Sequence, residues 1–150
     1  AYPRVLTQLI LSDEVTERSL AVYNAHFDHK GPKSRKHSAR HIRDRIVSLP
    51  TETEAIVLGD FNCLPGSTPY EILTADSDER QLQDTRAVAS KSKGPTTTIT
   101  DFTSLDPDRR LDHVFVTPGL STEVHWINDF TADDRYPSDH LPVVVQFSFI

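Results

Sequence analysis

"IVLGDFNCLP", residues 56–65, holds the stretch on which the fold turns. An apolar run, Ile56-Val57-Leu58, stops at Gly59, and Asp60, Phe61 and Asn62 follow at once. A short continuous apolar run bounded by a glycine predicts a strand over 55–60 that is buried on both faces. In extended backbone, residues two apart point the same way, so the strand end would present Asp60 and Asn62 to one small volume. A carboxylate supplies hard oxygen for Mg²⁺ or accepts a proton from water, and a carboxamide can donate to an anionic oxygen. That pair suits hydrolysis at phosphorus. Asp and Asn also form turns, and the stretch alone leaves both readings open.

Working outward, residues 4–11 (RVLTQLIL) and 19–26 (SLAVYNAH) read as strands of a hairpin across the polar SDEVTER. Gly31-Pro32 is a break. A helix is expected from Lys33 to Leu49, because Ala39, Ile42, Ile46 and Leu49 recur at steps of three and four and Pro50 closes the run. A short helix is expected around Pro69–Thr74. Residues 76–110 are polar and read as a long excursion with one short helix near Leu82–Ala89. Leu111–Thr117 reads as a strand ended by Pro118-Gly119, Ser121–Ile127 as its hairpin partner, and Val143–Phe149 as a final strand. Strands predominate around one long helix, which predicts α/β layers and not a repeating βαβ series.

The 150 residues suit one domain, and no apolar run approaches the ~20 residues of a membrane span. No charged-then-apolar leader opens the chain. AYPRVLTQLIL already reads as a strand, so the chain reads as beginning inside something larger. A single cysteine, Cys63, excludes an internal disulfide and reads as structural, because reactivity needs an electropositive setting. The net charge of −6 argues against polyanion binding over the whole surface. Residues 26–45 nevertheless carry Lys30, Lys33, Arg35, Lys36, Arg40, Arg43 and Arg45 against Asp28 and Asp44. They form either a solvated helix face or a positive rim for a phosphate-bearing substrate.

Three further stretches carry chemistry. In RRLDHVFV, residues 109–116, Asp112 sits among apolar strand residues, where a carboxylate needs a partner; an imidazolium is the natural one. His113 would point away from it. In YPSDHLPVVV, residues 136–145, Asp139 and His140 precede a strand between two prolines that stiffen the chain. In YNAHFDH, residues 23–29, His26 ends a strand near Asn24. A zinc site built from His26, His29, His37 and His41 is weighed against this. Strand residues three apart face opposite sides, and no Cys/His cluster completes a tetrahedral set. His125 and Trp126 read as surface hairpin residues.

The order N-x-H, GDFN, LDHVF, SDHxPV resembles the endonuclease/exonuclease/phosphatase superfamily, whose fold is the deoxyribonuclease-I-like α/β sandwich. The resemblance spans roughly Tyr2 to Phe149. It implies a divalent-metal-dependent phosphoesterase that uses Mg²⁺ or Mn²⁺ and activated water on a nucleic acid, phospholipid or sugar phosphate. A nuclease acting on DNA or RNA and a non-catalytic truncated member are the alternatives. Residue by residue, it implies that His26 hydrogen-bonds the scissile phosphate or assists the leaving oxygen. Asp60 orients or deprotonates water and stands at the metal. Asn62 holds a phosphate oxygen, Asp112 pairs with His140 as base or phosphate-binding imidazolium, and Asp139 lies at or near the metal. The family's N-terminal half, with its metal-ligand Glu, has no counterpart here. Glu79 lies in a loop after the GDFN strand. The expectation is therefore an incomplete sandwich: residues 1–150 as the C-terminal portion of one domain, a mostly antiparallel or mixed sheet with flanking helices.

Overall fold

A computed structural model describes residues 2–76 and 80–150. Glu79 falls outside the described residues. The chain runs β1 (Leu6–Ser12), β2 (Ser19–His26), α1 (Pro32–Val47), β3 (Thr53–Asp60), α2 (Thr68–Thr74), β4 (Gln83–Asp84), α3 (Thr85–Val88), β5 (Lys91–Lys93), β6 (Asp112–Val116), β7 (Leu120–Ile127) and β8 (Val143–Phe149). A five-stranded sheet has the order β1-β2-β3-β6-β4, and a three-stranded sheet the order β5-β7-β8. The fold is mixed α/β. No helix is long and apolar enough to cross a membrane.

β1 and β2 form the expected antiparallel hairpin. α1 then carries the chain back, and β3 pairs with β2 in parallel. One βαβ unit therefore sits inside a sheet that is otherwise antiparallel. The helix starts at Pro32, whose ring is tolerated at a helix's first position, and stops short of Pro50. Ala39, Ile42 and Ile46 form its buried stripe. Leu49 lies beyond the helix end but still packs on the core. Arg43 departs from the basic rim: it is buried, and its guanidinium donates to the Arg80 carbonyl.

Strand parity sorts the first sheet into two faces. Ala21, Tyr23, Ala25, Ala55, Val57 and Phe115 join the core beneath α1 and α2. On the other face, Ile56 and Val116 cluster with Leu20, Leu58 and Val114, and the second sheet covers them with Leu120, Phe147 and Phe149. Leu9 and Leu11, which pair with Val22 and Leu20 on that same face, are 54% and 44% exposed.

β7 is not the hairpin partner of β6. Both edges of β6 are occupied, by β3 and β4, and the turn at Pro118-Gly119 takes the chain across to the second sheet, where β7 pairs with β5 and β8. His125 is correspondingly not a surface residue. It is fully buried, with Nδ1 2.8 Å from Thr85 Oγ1, and burial pushes its pKa down to about 4.

Gly59 explains why the apolar run ends as it does. Its φ is 137°, a region L side chains rarely adopt, and a Cβ there would overlap the Ala25 carbonyl oxygen. Glycine thus lets the ends of β2 and β3 lie side by side. Gly59→Ala is expected to cost at least about 1–3 kcal/mol from backbone strain alone and to force the two strand ends apart. Urea unfolding checks this, and a wild-type midpoint contradicts it.

Candidate active site

The register places three polar groups in one row. His26 is opposite Asp60 across the parallel β2–β3 pair, and Asp60 is opposite Asp112 across the antiparallel β3–β6 pair. By strand parity all three project from the face opposite the α1 and α2 core. His26 Nε2 lies 3.3 Å from Asp60 Oδ2. The carboxylate of Asp60 is mostly shielded, while the His26 side chain is more than half exposed. The buried strand delivers an acid to an accessible edge.

Asn62 reaches the same place by a different route from the one its spacing suggests. β3 ends at Asp60, and Asn62 is in the left-handed region with φ 46°. Asparagine tolerates that conformation better than most residues. The chain folds back on Asp60: the Asn62 backbone N–H donates to Oδ1 at 2.8 Å, and Nδ2 donates to Oδ2 at 3.2 Å. Nδ2 also donates to the Phe27 carbonyl at 3.0 Å. With both amide hydrogens so engaged, the carboxamide braces Asp60 and turns its own oxygen away. Phe61 anchors this turn from the core side. It is fully buried and meets Phe27 and Phe115 edge-to-face at 4.9 and 5.2 Å.

Asp112 meets His140, with Nδ1 2.8 Å from Oδ2. The segment Thr97–Thr100 makes this meeting possible. Thr98 Oγ1 accepts from the N–H groups of Leu111 and Asp112, while the Thr98 carbonyl accepts from Leu141 N–H. Ile99 bridges to His140, and Thr100 Oγ1 donates to the Ser138 carbonyl. Two distant loops are thereby laced together on one short extended piece. Sequence reasoning placed these threonines inside a polar excursion; the β-branched run TTTIT was the signal available.

The electrostatics follow from this packing. Burial opposes the charge on His140, but the Asp112 hydrogen bond and the charges of Asp112, Asp60 and Asp139 outweigh it and raise the imidazole above its usual pKa of 6.5. Burial, with the nearby Asp60 charge, pushes the Asp112 carboxyl up, against the pull of Thr98 and His140. Asp139 is exposed, and its Oδ1 lies 3.3 Å from Ser138 Oγ. His113 points to the opposite face, buried, with Nε2 2.9 Å from the Cys63 carbonyl. Cys63 is buried and its thiol is pushed up by burial, a poor setting for a nucleophile.

The start of β6 is fixed from below. Arg110 and Asp84 form a buried bidentate pair, with Nη2–Oδ2 at 2.6 Å and Nη1–Oδ1 at 3.1 Å, and the Tyr70 hydroxyl donates to Asp84 at 2.7 Å. This network ties α2 and β4 to the residue two before Asp112.

A model of the family described as "Endonuclease/Exonuclease/phosphatase family" matches residues 2–140. The chain belongs to this family. Among solved structures, an endonuclease/exonuclease/phosphatase from Bacteroides vulgatus is 28% identical, with a TM-score of 0.88 over 98% of this chain and 56% of its own. A family protein from Bacteroides thetaiotaomicron is 25% identical, with a TM-score of 0.90 over 100% of this chain and 57% of its own. A mannosyl-6-phosphatase from Bacteroides thetaiotaomicron is 24% identical, with a TM-score of 0.88 over 99% of this chain and 58% of its own. The chain thus spans just over half the length of these family structures. No curated protein matches the sequence.

Family membership directs attention to divalent metal. Among the described residues, no group of three or more His, Cys, Asp or Glu could hold an ion. That leaves the four-histidine zinc reading without a gathered ligand set. Mg²⁺ asks for less: one or two carboxylates with several waters kept. The mostly shielded Asp60 carboxylate fits such a partial set of hard oxygens.

Proposed function

We propose that this chain carries the water-activating part of a divalent-metal-dependent phosphoesterase, hydrolysing a phosphomonoester or phosphodiester. The row His26–Asp60–Asp112, closed by His140, carries this reading. A phosphoryl group at the row meets a carboxylate to orient or deprotonate water. An exposed imidazole, His26, donates to a phosphate oxygen or to the leaving oxygen. A second imidazole, His140, is held in one tautomer by Asp112. Asn62 keeps Asp60 in place. Asp60 would hold Mg²⁺ or Mn²⁺ together with Asp139, and the bound ion would neutralise charge developing on the phosphoryl oxygens. Among substrates the site favours no one class of nucleic acid, phospholipid or sugar phosphate.

The chain further acts, in this reading, as the second half of a two-half sandwich. Its share of the family structures' length and the exposed Leu9 and Leu11, on the sheet face from which the row projects, support this. The rest of the domain would cover the part of that face left exposed at Leu9 and Leu11 and supply a further metal ligand.

EDTA is expected to stop phosphate-ester turnover by the complete domain, and added Mg²⁺ or Mn²⁺ to restore it. Turnover indifferent to chelation overturns the metal part of the proposal.

A further inference from the structure

A cavity of about 380 Å³ opens beside Asn62, the residue that braces Asp60. Arg35, Arg109, His29, Asn62 and Ser67 supply its polar lining. Its size is at the small end of the range for ligand pockets, about 300–1,000 Å³. Two guanidiniums from separate elements, α1 and the chain before β6, face one small space.

These cations are incompletely engaged. Among the described residues, the hydrogen bond Arg35 makes is one from Nη1 to the Asp28 carbonyl at 2.8 Å, with no carboxylate partner. Arg109 Nη1 lies 2.7 Å from Asp106 Oδ2, an exposed pair that is weakly held. His29 Nδ1 lies 3.3 Å from Arg4 Nη2. A guanidinium can only donate, so the neutral imidazole carries its proton on Nε2 and offers a donor. The nearby carboxylates are occupied: Asp28 accepts from the N–H groups of Tyr2 and Lys30, and Asp60 from Asn62. Forked donors converging on a small polar cavity match a phosphate group.

We propose that this cavity binds a second phosphoryl group of the substrate, next to the one cleaved at Asp60. The proposal rests on the phosphoesterase reading above. It names the substrate class as an ester with two phosphates in close succession, whether a small bisphosphate or adjacent phosphates of a nucleotide chain. Asn62 joins the two positions, since it lines the cavity and braces Asp60.

The test uses the full-length protein and its Arg35→Gln and Arg109→Gln variants. Steady-state rates are measured on adenosine 5′-monophosphate, adenosine 3′,5′-bisphosphate and a 5′-phosphorylated dinucleotide. Loss of one charge-assisted hydrogen bond predicts a KM about tenfold higher for the doubly phosphorylated esters, with the monophosphate unaffected. Selective loss on the bisphosphate or on the dinucleotide identifies the source of the second group. Equal loss on all three esters, or none on any, overturns the proposal. Calorimetric titration with inorganic pyrophosphate stands apart from turnover: weaker binding in both variants supports the cavity, and wild-type affinity in both overturns it. Failure of every ester to turn over strikes the phosphoesterase reading, while the titration still decides the cavity. If Arg35→Gln fails to fold, Arg35→Lys replaces it, retaining the bond to the Asp28 carbonyl without the fork, and if Arg109→Gln fails, Arg109→Lys replaces it, retaining the pair with Asp106.

Discussion

Asp60→Ala is expected to lower kcat of the complete domain by about 10²–10⁴-fold, the scale lost with a water-activating group, while leaving the fold intact. Asp60 ends β3 on an accessible edge, and the apolar core beneath α1 and α2 does not include it. Its carboxylate does hold the Asn62 backbone N–H at 2.8 Å, so the turn at Phe61-Asn62 loses one acceptor. Asp60→Asn retains an acceptor there and separates the two effects. Both variants should lose turnover, whereas only the alanine variant should show a modest fall in Tm. Retained turnover in either removes Asp60 from the chemistry.

His140→Ala should cost a similar factor of about 10²–10⁴ in kcat, and Asp112→Asn should reveal why. Asp112 holds the imidazole Nδ1, and with Asp60 and Asp139 raises the His140 pKa above 6.5 despite burial. A base must be neutral, so the acid limb of kcat/KM should lie above about pH 6.5, the ordinary histidine value. Removing the Asp112 charge should move that limb to lower pH and lower the plateau. Stability follows the opposite sense. The charged imidazolium's contribution is complete below the unfolded value and is lost as pH rises through the raised folded value. A pH–rate profile and pH-dependent melts check both limbs; an unmoved limb in Asp112→Asn contradicts the pairing.

Much of this arrangement was legible in the residues. Gly59 before Asp60 marked a strand end, and Asp112 in an apolar strand demanded a partner. The α1 stripe fixed one helix face. What escaped had identifiable causes. β7 looked like the hairpin partner of β6 because local turn chemistry at Pro118-Gly119 does not reveal that both edges of β6 are already taken. His125 and Arg43 were read as surface groups because polar side chains usually are, yet both lie inside, where Thr85 Oγ1 partners His125 Nδ1 and the Arg80 carbonyl accepts from Arg43. Thr98 and Thr100 carry no chemistry of their own. They matter through hydroxyl and backbone bonds to segments far apart in sequence, which no local pattern encodes. Asn62 was expected to share a volume with Asp60 by strand alternation. It does share it, but through a left-handed turn, and its amide is engaged with Asp60 and Phe27.

Hydrolysis in H₂¹⁸O reads the central claim most directly, with phosphate ester, Mg²⁺ and the complete domain in wild-type and Asp60→Ala forms. Water activated by the carboxylate at the end of β3 should place one ¹⁸O in the released phosphate, with the rate of labelling collapsing in the variant. Label in the alcohol, or undiminished labelling of phosphate by the variant, contradicts it.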